Sequence, residues 1–218
     1  MALLFAEHGI HVSLNDPSDE SLNRVLDQAN RDHLSNLLSK HTHYASLCSS
    51  LDSPKVFIFS LPHGPVGDTV VEGLKPFLER GDLIIDASNE NWNNTQRRQG
   101  MLVAMGVYYV GAGVSGGYQA ARRGPSICPG GEDKALDLAL PLLKKVAAKD
   151  AKGRPCTARC GMGGSGHYVK MVHNGIEHGM MSAQAEAWQI MSLGLGLTYN
   201  EIGDVFGKWS SEGELVSS

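Results

Sequence analysis

The sequence has few cysteines, no long apolar run and no excess of basic residues, and each of these absences excludes a class of protein. The four cysteines do not form the even-spaced framework that stabilises small secreted scaffolds. No apolar segment approaches the about 20 residues needed to span a bilayer, and the N-terminus lacks a basic signal region. A formal net charge of -4 provides no general attraction for nucleic acid. We therefore expect a cytoplasmic protein with reduced thiols that binds neither nucleic acid nor membranes.

The cysteine spacing also argues against a metal site. Cys156 and Cys160 are separated by three residues, a spacing that a pair of zinc ligands could use. No second pair with matching spacing accompanies them in the sequence. We therefore expect no bound metal.

What the chain does contain is an alternation of short β-rich apolar runs and longer segments with helical periodicity. Its 218 residues are enough for a substantial core in one domain or slightly more. The predicted strands occupy residues 10–16, 55–61, 82–88 and 106–113. Strands that are apolar on both faces and separated by helices are typical of a parallel sheet covered on both sides. The sequence therefore predicts an α/β fold, with a doubly wound Rossmann-type nucleotide-binding domain over residues 1–157.

The two ends of the chain differ from a complete fold of this kind. The chain opens with a helix and then a strand, whereas a Rossmann-type domain begins with a strand and a G-x-G-x-x-G turn. Residues 158–218 are helical in pattern without strand runs, which predicts the start of an all-α domain. We expect a parallel sheet that lacks its first strand, in a chain that is cut at both ends.

The segment GHYVKMVHNGIEHG, residues 166–179, carries many chemical groups for one helix. Lys170, Asn174 and Glu177 follow i, i+4, i+7 spacing and so share one stripe, with His173 beside it. Most charged stripes are simply solvated faces. The periodicity alone therefore favours a structural interpretation.

Three segments together resemble the decarboxylating 6-phosphogluconate dehydrogenase family. They are LIIDASNENWNNTQRR at 83–98, YVGAGVSGGYQAARRGPSICPGG at 109–131, and the helical segment at 166–179. The wider β-hydroxyacid dehydrogenase group shares the fold and a helix lysine, but not the string KMVHNGIE. Because the resemblance spans nearly the whole chain, it implies that the stripe is catalytic.

The resemblance implies oxidative decarboxylation of 6-phosphogluconate to ribulose 5-phosphate in the pentose phosphate pathway. Lys170 would take the hydroxyl proton and Glu177 would protonate the enediol. The implied substrate-binding residues are Asn89, Ser115, Gly116, Gly117, His173, Asn174 and His178. His178 replaces a tyrosine of the family pattern, although a histidine can still donate to phosphate. Without the resemblance, Ser115 to Gly117 would be interpreted as a plain strand-to-helix turn.

The cofactor-binding residues depart further from the family. Those implied are Asn15, Asp16, Pro17, Leu61, Pro62, His63 and Asn89. The family usually shows Asn-Arg-Thr where this chain has Asn15, Asp16 and Pro17, and its arginine meets the 2′-phosphate of NADP. A carboxylate is instead the usual partner of the ribose 2′-hydroxyl of NAD and repels a phosphate. The resemblance thus implies NADP, whereas Asp16 favours NAD.

Other functions stay open on the sequence alone. The missing glycine turn is compatible with a truncated, non-catalytic paralogue that binds a sugar phosphate or a protein partner. Another β-hydroxyacid dehydrogenase is a further alternative, while the helix residues favour a working enzyme. The full-length family also implies a homodimer.

Overall fold

The computed structural model describes residues 1–212, so the last part of the predicted all-α region, residues 213–218, lies outside the described residues. The chain divides into two units, Met1–Met171 and Val172–Ser218. The helices are α1 Ala2–Glu7, α2 Asp19–Arg31, α3 Tyr44–Ser49, α4 Pro65–Leu74, α5 Trp92–Val103, α6 Gly117–Arg123, α7 Asp133–Val146, α8 Ser165–Gln189 and α9 Tyr199–Glu212. The strands are β1 Val12–Leu14, β2 Leu38–Lys40, β3 Val56–Phe59, β4 Leu83–Asp86, β5 Tyr108–Ser115 and β6 Ser126–Gly130. The predicted α/β class is confirmed.

The sheet is parallel where the sequence predicts strands. β3, β4 and β5 pair in parallel, and β1 pairs in parallel with β2. β6, which the sequence did not predict, runs antiparallel to β5. The connection between them, residues 116–125, is shorter than the about a dozen residues that a parallel crossover needs. A short connection therefore reverses the chain direction at this edge.

Helices cover both faces of the central strand β4, as predicted. All four residues of β4 are buried, and successive side chains point to opposite faces. Leu83 and Ile85 belong to the core cluster formed with α7 and α1. Ile84 belongs to the cluster formed with α3 and α4. The strand is therefore held between two apolar layers.

The sheet is interrupted between β1 and β3. Among the described residues, β1 and β2 form one sheet, while β3 to β6 form another. Side chains join the two instead, since Val12 of β1 and Ile58 of β3 pack against the same core cluster. In a Rossmann-type sheet the first strand lies at this central position, so the interruption is the one predicted.

Local signals in the sequence place the starts of the helices that follow these strands. Ser18 caps α2 by accepting a hydrogen bond from the Ser21 backbone N–H at 3.2 Å. Gly64 precedes α4 with φ +87°, a conformation that favours glycine, and Pro65 supplies the first helical position. Asn91 caps α5 through the Asn93 backbone N–H at 2.9 Å. A well-defined turn thus follows β1, β3 and β4.

The described part of the second unit, residues 172–212, consists of helices and a short connection. α8 is followed by a π-helical turn, Ile190–Gly194, and then by α9. Thr198 and Glu201 form a capping box, in which the Thr198 N–H donates to the Glu201 carboxylate at 2.8 Å. Trp188 and Tyr199 stack with ring centroids 6.0 Å apart. Over residues 1–212, no helix combines the length and the apolar character that crossing a membrane requires.

Candidate active site

The loops at the carboxyl ends of β3, β4 and β5 hold most of the predicted site residues of the first unit. Because these strands are parallel neighbours, their carboxyl ends lie along one edge of the sheet. The residues placed there are Leu61, Pro62 and His63 after β3, Asn89 after β4, and Ser115, Gly116 and Gly117 at the end of β5. Open α/β sheets bind ligands at this edge.

The residues Asn15, Asp16 and Pro17 follow the carboxyl end of β1, on the separate two-stranded sheet. The Asn15 side-chain amide donates to the His41 carbonyl at 2.7 Å. One Asp16 carboxylate oxygen accepts from the Ser18 backbone N–H at 2.7 Å, which fixes the turn into α2. Asp16 itself is exposed, so its carboxylate faces solvent at the strand end.

The predicted residues Asn89 and Lys170 meet in the structure, although 81 residues separate them. The Lys170 ammonium group donates a hydrogen bond to the Asn89 side-chain oxygen. Lys170 is half-buried and Asn89 is exposed. The contact places an amino group directly at the carboxyl edge of the sheet.

Glycines in β5 and β6 allow the start of α8 to lie close to these strands. A Cβ at Gly113 would collide with the Lys170 side chain, and one at Gly130 would collide with the Gly166 backbone. A Cβ at Gly166 would in turn collide with the Gly111 carbonyl. The glycine-rich sequence of this region therefore has a packing role that determines where Lys170 lies.

His167 anchors the same end of α8. Its side chain is buried, and its Nδ1 lies 2.7 Å from the Thr95 hydroxyl on α5. Burial lowers the pKa of His167, and the nearby Asp86 and Glu90 carboxylates oppose this shift only in part. The sequence predicts no role for His167, because a histidine in an apolar helix gives no signal of its contacts.

A buried arginine, also missed from the sequence, organises the loops around Asn89. Arg98 is 1% exposed and donates to Asp68 at 2.9 Å and to Glu90 at 2.8 Å. A longer contact of 3.4 Å reaches Asp86. Burial lowers the pKa of Arg98, but the hydrogen bonds to Asp68 and Glu90 outweigh this and raise the pKa overall. The group is therefore a permanent cation surrounded by carboxylates.

Arg98 and Glu90 together hold the turn that follows His63. The Gly64 N–H donates to the Glu90 carboxylate at 3.0 Å, and the Gly64 carbonyl accepts from Arg98 at 2.7 Å. Since Glu90 is the neighbour of Asn89, this network fixes the β3 loop relative to the β4 loop. Burial raises the pKa of Glu90, but hydrogen bonds from the Asn94 side chain and from backbone N–H groups outweigh it and lower the pKa.

The turn at the end of β5 requires glycine for structural reasons. Gly116 has φ +118° and Gly117 has φ +66°, both in the region that favours glycine. A Cβ at Gly116 would also collide with Ala120. The structural interpretation of this turn therefore accounts for Gly116, and a role in substrate binding stays a prediction.

The other predicted catalytic and substrate residues lie on α8 within the second unit. His173 Nδ1 is 3.2 Å from the Asn174 side-chain oxygen and 4.0 Å from the Glu177 carboxylate. His173, Glu177 and His178 are exposed, and Asn174 is half-buried. A hollow of about 440 Å³ on this helix is lined by His173, Ile176, Glu177, Met180, Met181 and Gln184. The helical placement of the stripe is thus as predicted, while the roles stay predictions.

The side chains that commonly bind metal ions are not clustered in the described residues. Across residues 1–212, no group of three or more histidine, cysteine, aspartate or glutamate side chains is arranged to hold a metal ion. The polar groups at the sheet edge are instead an amide, an amino group and backbone atoms, which suit an organic ligand with hydroxyl and carboxylate groups.

The fold and the site together define an α/β protein of the nucleotide-binding class, followed by a helical unit. The sequence-family model for the NAD binding domain of 6-phosphogluconate dehydrogenase matches residues 1–163. The model of the 6-phosphogluconate dehydrogenase C-terminal domain matches residues 166–218. The chain therefore belongs to the 6-phosphogluconate dehydrogenase family. The domain boundary predicted at residues 157 and 158 stays a prediction.

Relatives of known name agree with this assignment. The chain is 45% identical over 219 residues to the decarboxylating 6-phosphogluconate dehydrogenase of Emericella nidulans, covering 99% of this chain and 44% of that protein. It is 39% identical over 217 residues to the Escherichia coli K12 protein of the same name, covering 100% of this chain and 45% of that protein. The chain thus spans about half the length of the curated relatives it matches.

Solved structures show the same fold. A Plasmodium falciparum 6-phosphogluconate dehydrogenase, described in its apo form and in complex with NADP+ or 6-phosphogluconate, matches with a TM-score of 0.89 at 33% identity. The match covers 96% of this chain and 44% of that one. A 3-hydroxyisobutyrate dehydrogenase from Mycobacterium tuberculosis matches with a TM-score of 0.72 at 22% identity, covering 98% and 66% of the two chains. The second likeness shows the fold alone.

Proposed function

We propose that this chain acts in the oxidative decarboxylation of 6-phosphogluconate to ribulose 5-phosphate, in the cytoplasm and within the pentose phosphate pathway. The observation that carries the proposal is the hydrogen bond between Lys170 and Asn89 at the carboxyl edge of the sheet. Family membership and the binding of 6-phosphogluconate by the Plasmodium relative support it. A homodimer, as in the full-length family, is part of the same proposal.

Lys170 is the proposed base for the substrate hydroxyl proton. An ammonium group must lose a proton before it can act as a base. Its hydrogen-bond partner separately determines which way its nitrogen points. The Asn89 oxygen accepts from Lys170 and thereby directs the amino group toward the sheet edge. Asn89 is thus proposed to orient the base as well as to bind substrate.

Glu177 is the proposed acid for the later protonation of the enediol at C1. The exposed Glu177 carboxylate lies 4.0 Å from His173 Nδ1, close enough for an ion pair when the histidine carries a proton. Asn174 and His178 are proposed to bind the substrate with donors to its hydroxyl and phosphate groups, and Ser115 to bind its carboxylate. The roles of Glu177 and Asn174 rest on the family string KMVHNGIE and on their placement on α8. Those of His178 and Ser115 rest on the resemblance of the segments at 166–179 and 109–131.

The loops after β1 and β3 fit a nicotinamide dinucleotide, which supplies the hydride acceptor when it is bound. Leu61, Pro62 and His63 lie next to Asn89 along the sheet edge, where the nicotinamide half is proposed to bind. Asp16 lies exposed at the end of β1, where an acidic side chain suits a ribose 2′-hydroxyl. NADP is supported by the Plasmodium relative and NAD by Asp16.

The proposal is tested by the products formed from different acids. The protein is incubated with NADP or NAD and with 6-phosphogluconate or 3-hydroxyisobutyrate, while reduced nucleotide and CO₂ are measured together. We expect equimolar reduced nucleotide and CO₂ with 6-phosphogluconate alone. Reduction with 3-hydroxyisobutyrate would favour another β-hydroxyacid dehydrogenase. Binding of 6-phosphogluconate without reduction in an otherwise folded protein would favour the non-catalytic paralogue.

A further inference from the structure

Two cysteines outside the proposed site lie side by side in the first unit. The connector before α8 runs along β6: the Ile127 N–H donates to the Cys156 carbonyl at 3.0 Å, and the Cys160 N–H donates to the Pro129 carbonyl at 2.9 Å. Cys128 is the neighbour of Pro129 on β6. The backbone pairing therefore brings Cys160 next to Cys128.

The two thiols interact directly. A hydrogen bond with Cys128 is the largest cause of the raised pKa of Cys160, followed by burial. Both side chains are half-buried, so small molecules in solvent can reach them. No disulfide is present among the four cysteines, and no metal-binding group of three ligands occurs in the described part of the chain. The contact is thus between two thiols.

We propose that Cys128 and Cys160 form a redox-sensitive dithiol that closes to an intramolecular disulfide on exposure to a small-molecule disulfide. One protein thiolate attacks the small disulfide, forms a mixed disulfide and releases one small thiol. The second protein thiol loses its proton and attacks the protein sulfur of that mixed disulfide, which releases the second small thiol. The protein loses two electrons and two protons, and the small disulfide gains both.

The backbone geometry suits this bond. Neighbouring chains in a sheet lie about 4.8 Å apart. Disulfides need Cα atoms about 4.4–6.8 Å apart. The Cys160 N–H donates to the carbonyl of the residue beside Cys128, and the two thiols already lie within hydrogen-bond reach, so the sulfur atoms are placed to meet. Cys156, although closer to Cys160 in sequence, is exposed, and its carbonyl accepts from the Ile127 N–H.

The disulfide would tie the connector to β6 at the start of α8. A Cβ at Gly166 would collide with the Cys128 carbonyl, so the helix begins directly against this cysteine. Gly161 and Gly163 have φ of +129° and +60°, which gives the connector glycine-dependent turns between Cys160 and the helix. Oxidation would therefore restrict the segment that leads to Lys170 and raise the melting temperature of the first unit.

Peptide mapping of the full chain tests the proposal. After incubation with glutathione disulfide, remaining thiols are alkylated and the protein is digested with trypsin without reduction. Cleavage after Arg123, Lys134, Arg159 and Lys170 places Cys128 and Cys160 on peptides 124–134 and 160–170, while Cys156 lies on a third peptide. We expect the 124–134 peptide linked to the 160–170 peptide, together with a reductant-reversible rise in melting temperature.

Single substitutions provide the matched controls. Cys128→Ser and Cys160→Ser should each abolish the linkage and the rise in melting temperature, whereas Cys156→Ser should preserve both. A linkage between Cys156 and Cys160, a linkage between two chains, or glutathionylated cysteines without a protein disulfide would overturn the proposal. Because the wild-type map needs no variant, a poorly folded substitution would not obscure the result.

Discussion

The two units of the chain differ sharply in how they bury apolar side chains. In the first unit, β4 and the helices on both sides of it form two continuous apolar clusters. In the second unit, Met191 and Ile202 are the only buried residues between positions 172 and 211. Leu193 and Leu195 are 74% and 67% exposed. The comparison indicates that the first unit is stabilised by its own core, whereas the described part of the second unit leaves large apolar side chains exposed.

Replacing Arg98 tests the first half of this comparison and has the largest expected effect. Arg98→Met leaves the buried carboxylates of Glu90 and Asp86 without their cation, which typically costs about 3–5 kcal/mol. Arg97 also contacts Asp68 but is 47% exposed, so Arg97→Met should cost less than about 1 kcal/mol. Denaturant unfolding measures both, and equal losses would show that the buried network does not stabilise the first unit.

A surface substitution tests the second half. If a second copy of the chain covers the helical unit, Leu193→Asp should weaken self-association about tenfold or more and change folding stability little. Sedimentation at several concentrations gives the association constant. Asp204→Asn, on exposed α9, is the control for a change of charge. A wild-type chain that stays monomeric at all concentrations would contradict the hypothesis that a second copy of the chain covers the exposed apolar side chains of the helical unit.

The preference for NAD or NADP tests whether the loop after β1 in the first unit binds the cofactor. Asp16→Arg should shift the ratio of kcat/KM for NADP over NAD by about tenfold or more toward NADP, because a repulsive charge becomes an attractive one. Glu20→Arg, on the first turn of α2, makes the same charge change a few residues away. An equal shift in both variants would mean that the general potential, and not Asp16, sets the preference.

His167 gives the smallest expected effect, a pH dependence of stability. Its pKa is lowered by burial, so the unfolded chain binds a proton more readily than the folded one. Stability should therefore fall as the pH decreases from about 6.5 through the folded-state pKa, by at most about 1.4 kcal/mol per pH unit. Asp68 and Glu90 also have lowered pKa values, but their protonation reduces the stability of the protein only at more acidic pH, below about 4.5.

Unfolding measured between neutral pH and about pH 5 isolates the histidine from these carboxylates. His167→Gln should flatten the pH dependence, whereas His11→Gln, at an exposed position, should leave it unchanged. A slope that survives His167→Gln would assign the pH dependence to another group.

Elements with clear periodicity could be predicted from the sequence. Three of the four predicted strands contain an observed strand and the fourth, residues 106–113, overlaps β5, because runs such as LIID are buried on both faces. β6 was missed, since its sequence SICPG contains a proline and a glycine that rarely mark strands. β2 was missed because three residues are too few to show a period.

The site divides in the same way. Asn89 and Lys170 were found because they stand in recognisable sequence strings, and the structure brings them together. The network around Arg98 could not be predicted, since Asp68 lies 30 residues away and nothing in one sequence pairs distant charges. The contact between Cys128 and Cys160 could not be predicted for the same reason. Contacts between distant segments depend on the fold, and local patterns do not contain them.

A double-mutant cycle on Asn89 and Lys170 tests the central claim most directly. Lys170→Met should lower kcat for 6-phosphogluconate by about 10²–10⁴-fold with cofactor binding retained, while Lys134→Met, at an exposed position of α7, should leave it unchanged. If Asn89 acts by orienting Lys170, adding Asn89→Ala to Lys170→Met should lower kcat little further. Losses that multiply independently, or a Lys170→Met enzyme that keeps more than about a tenth of the wild-type rate, would contradict the account.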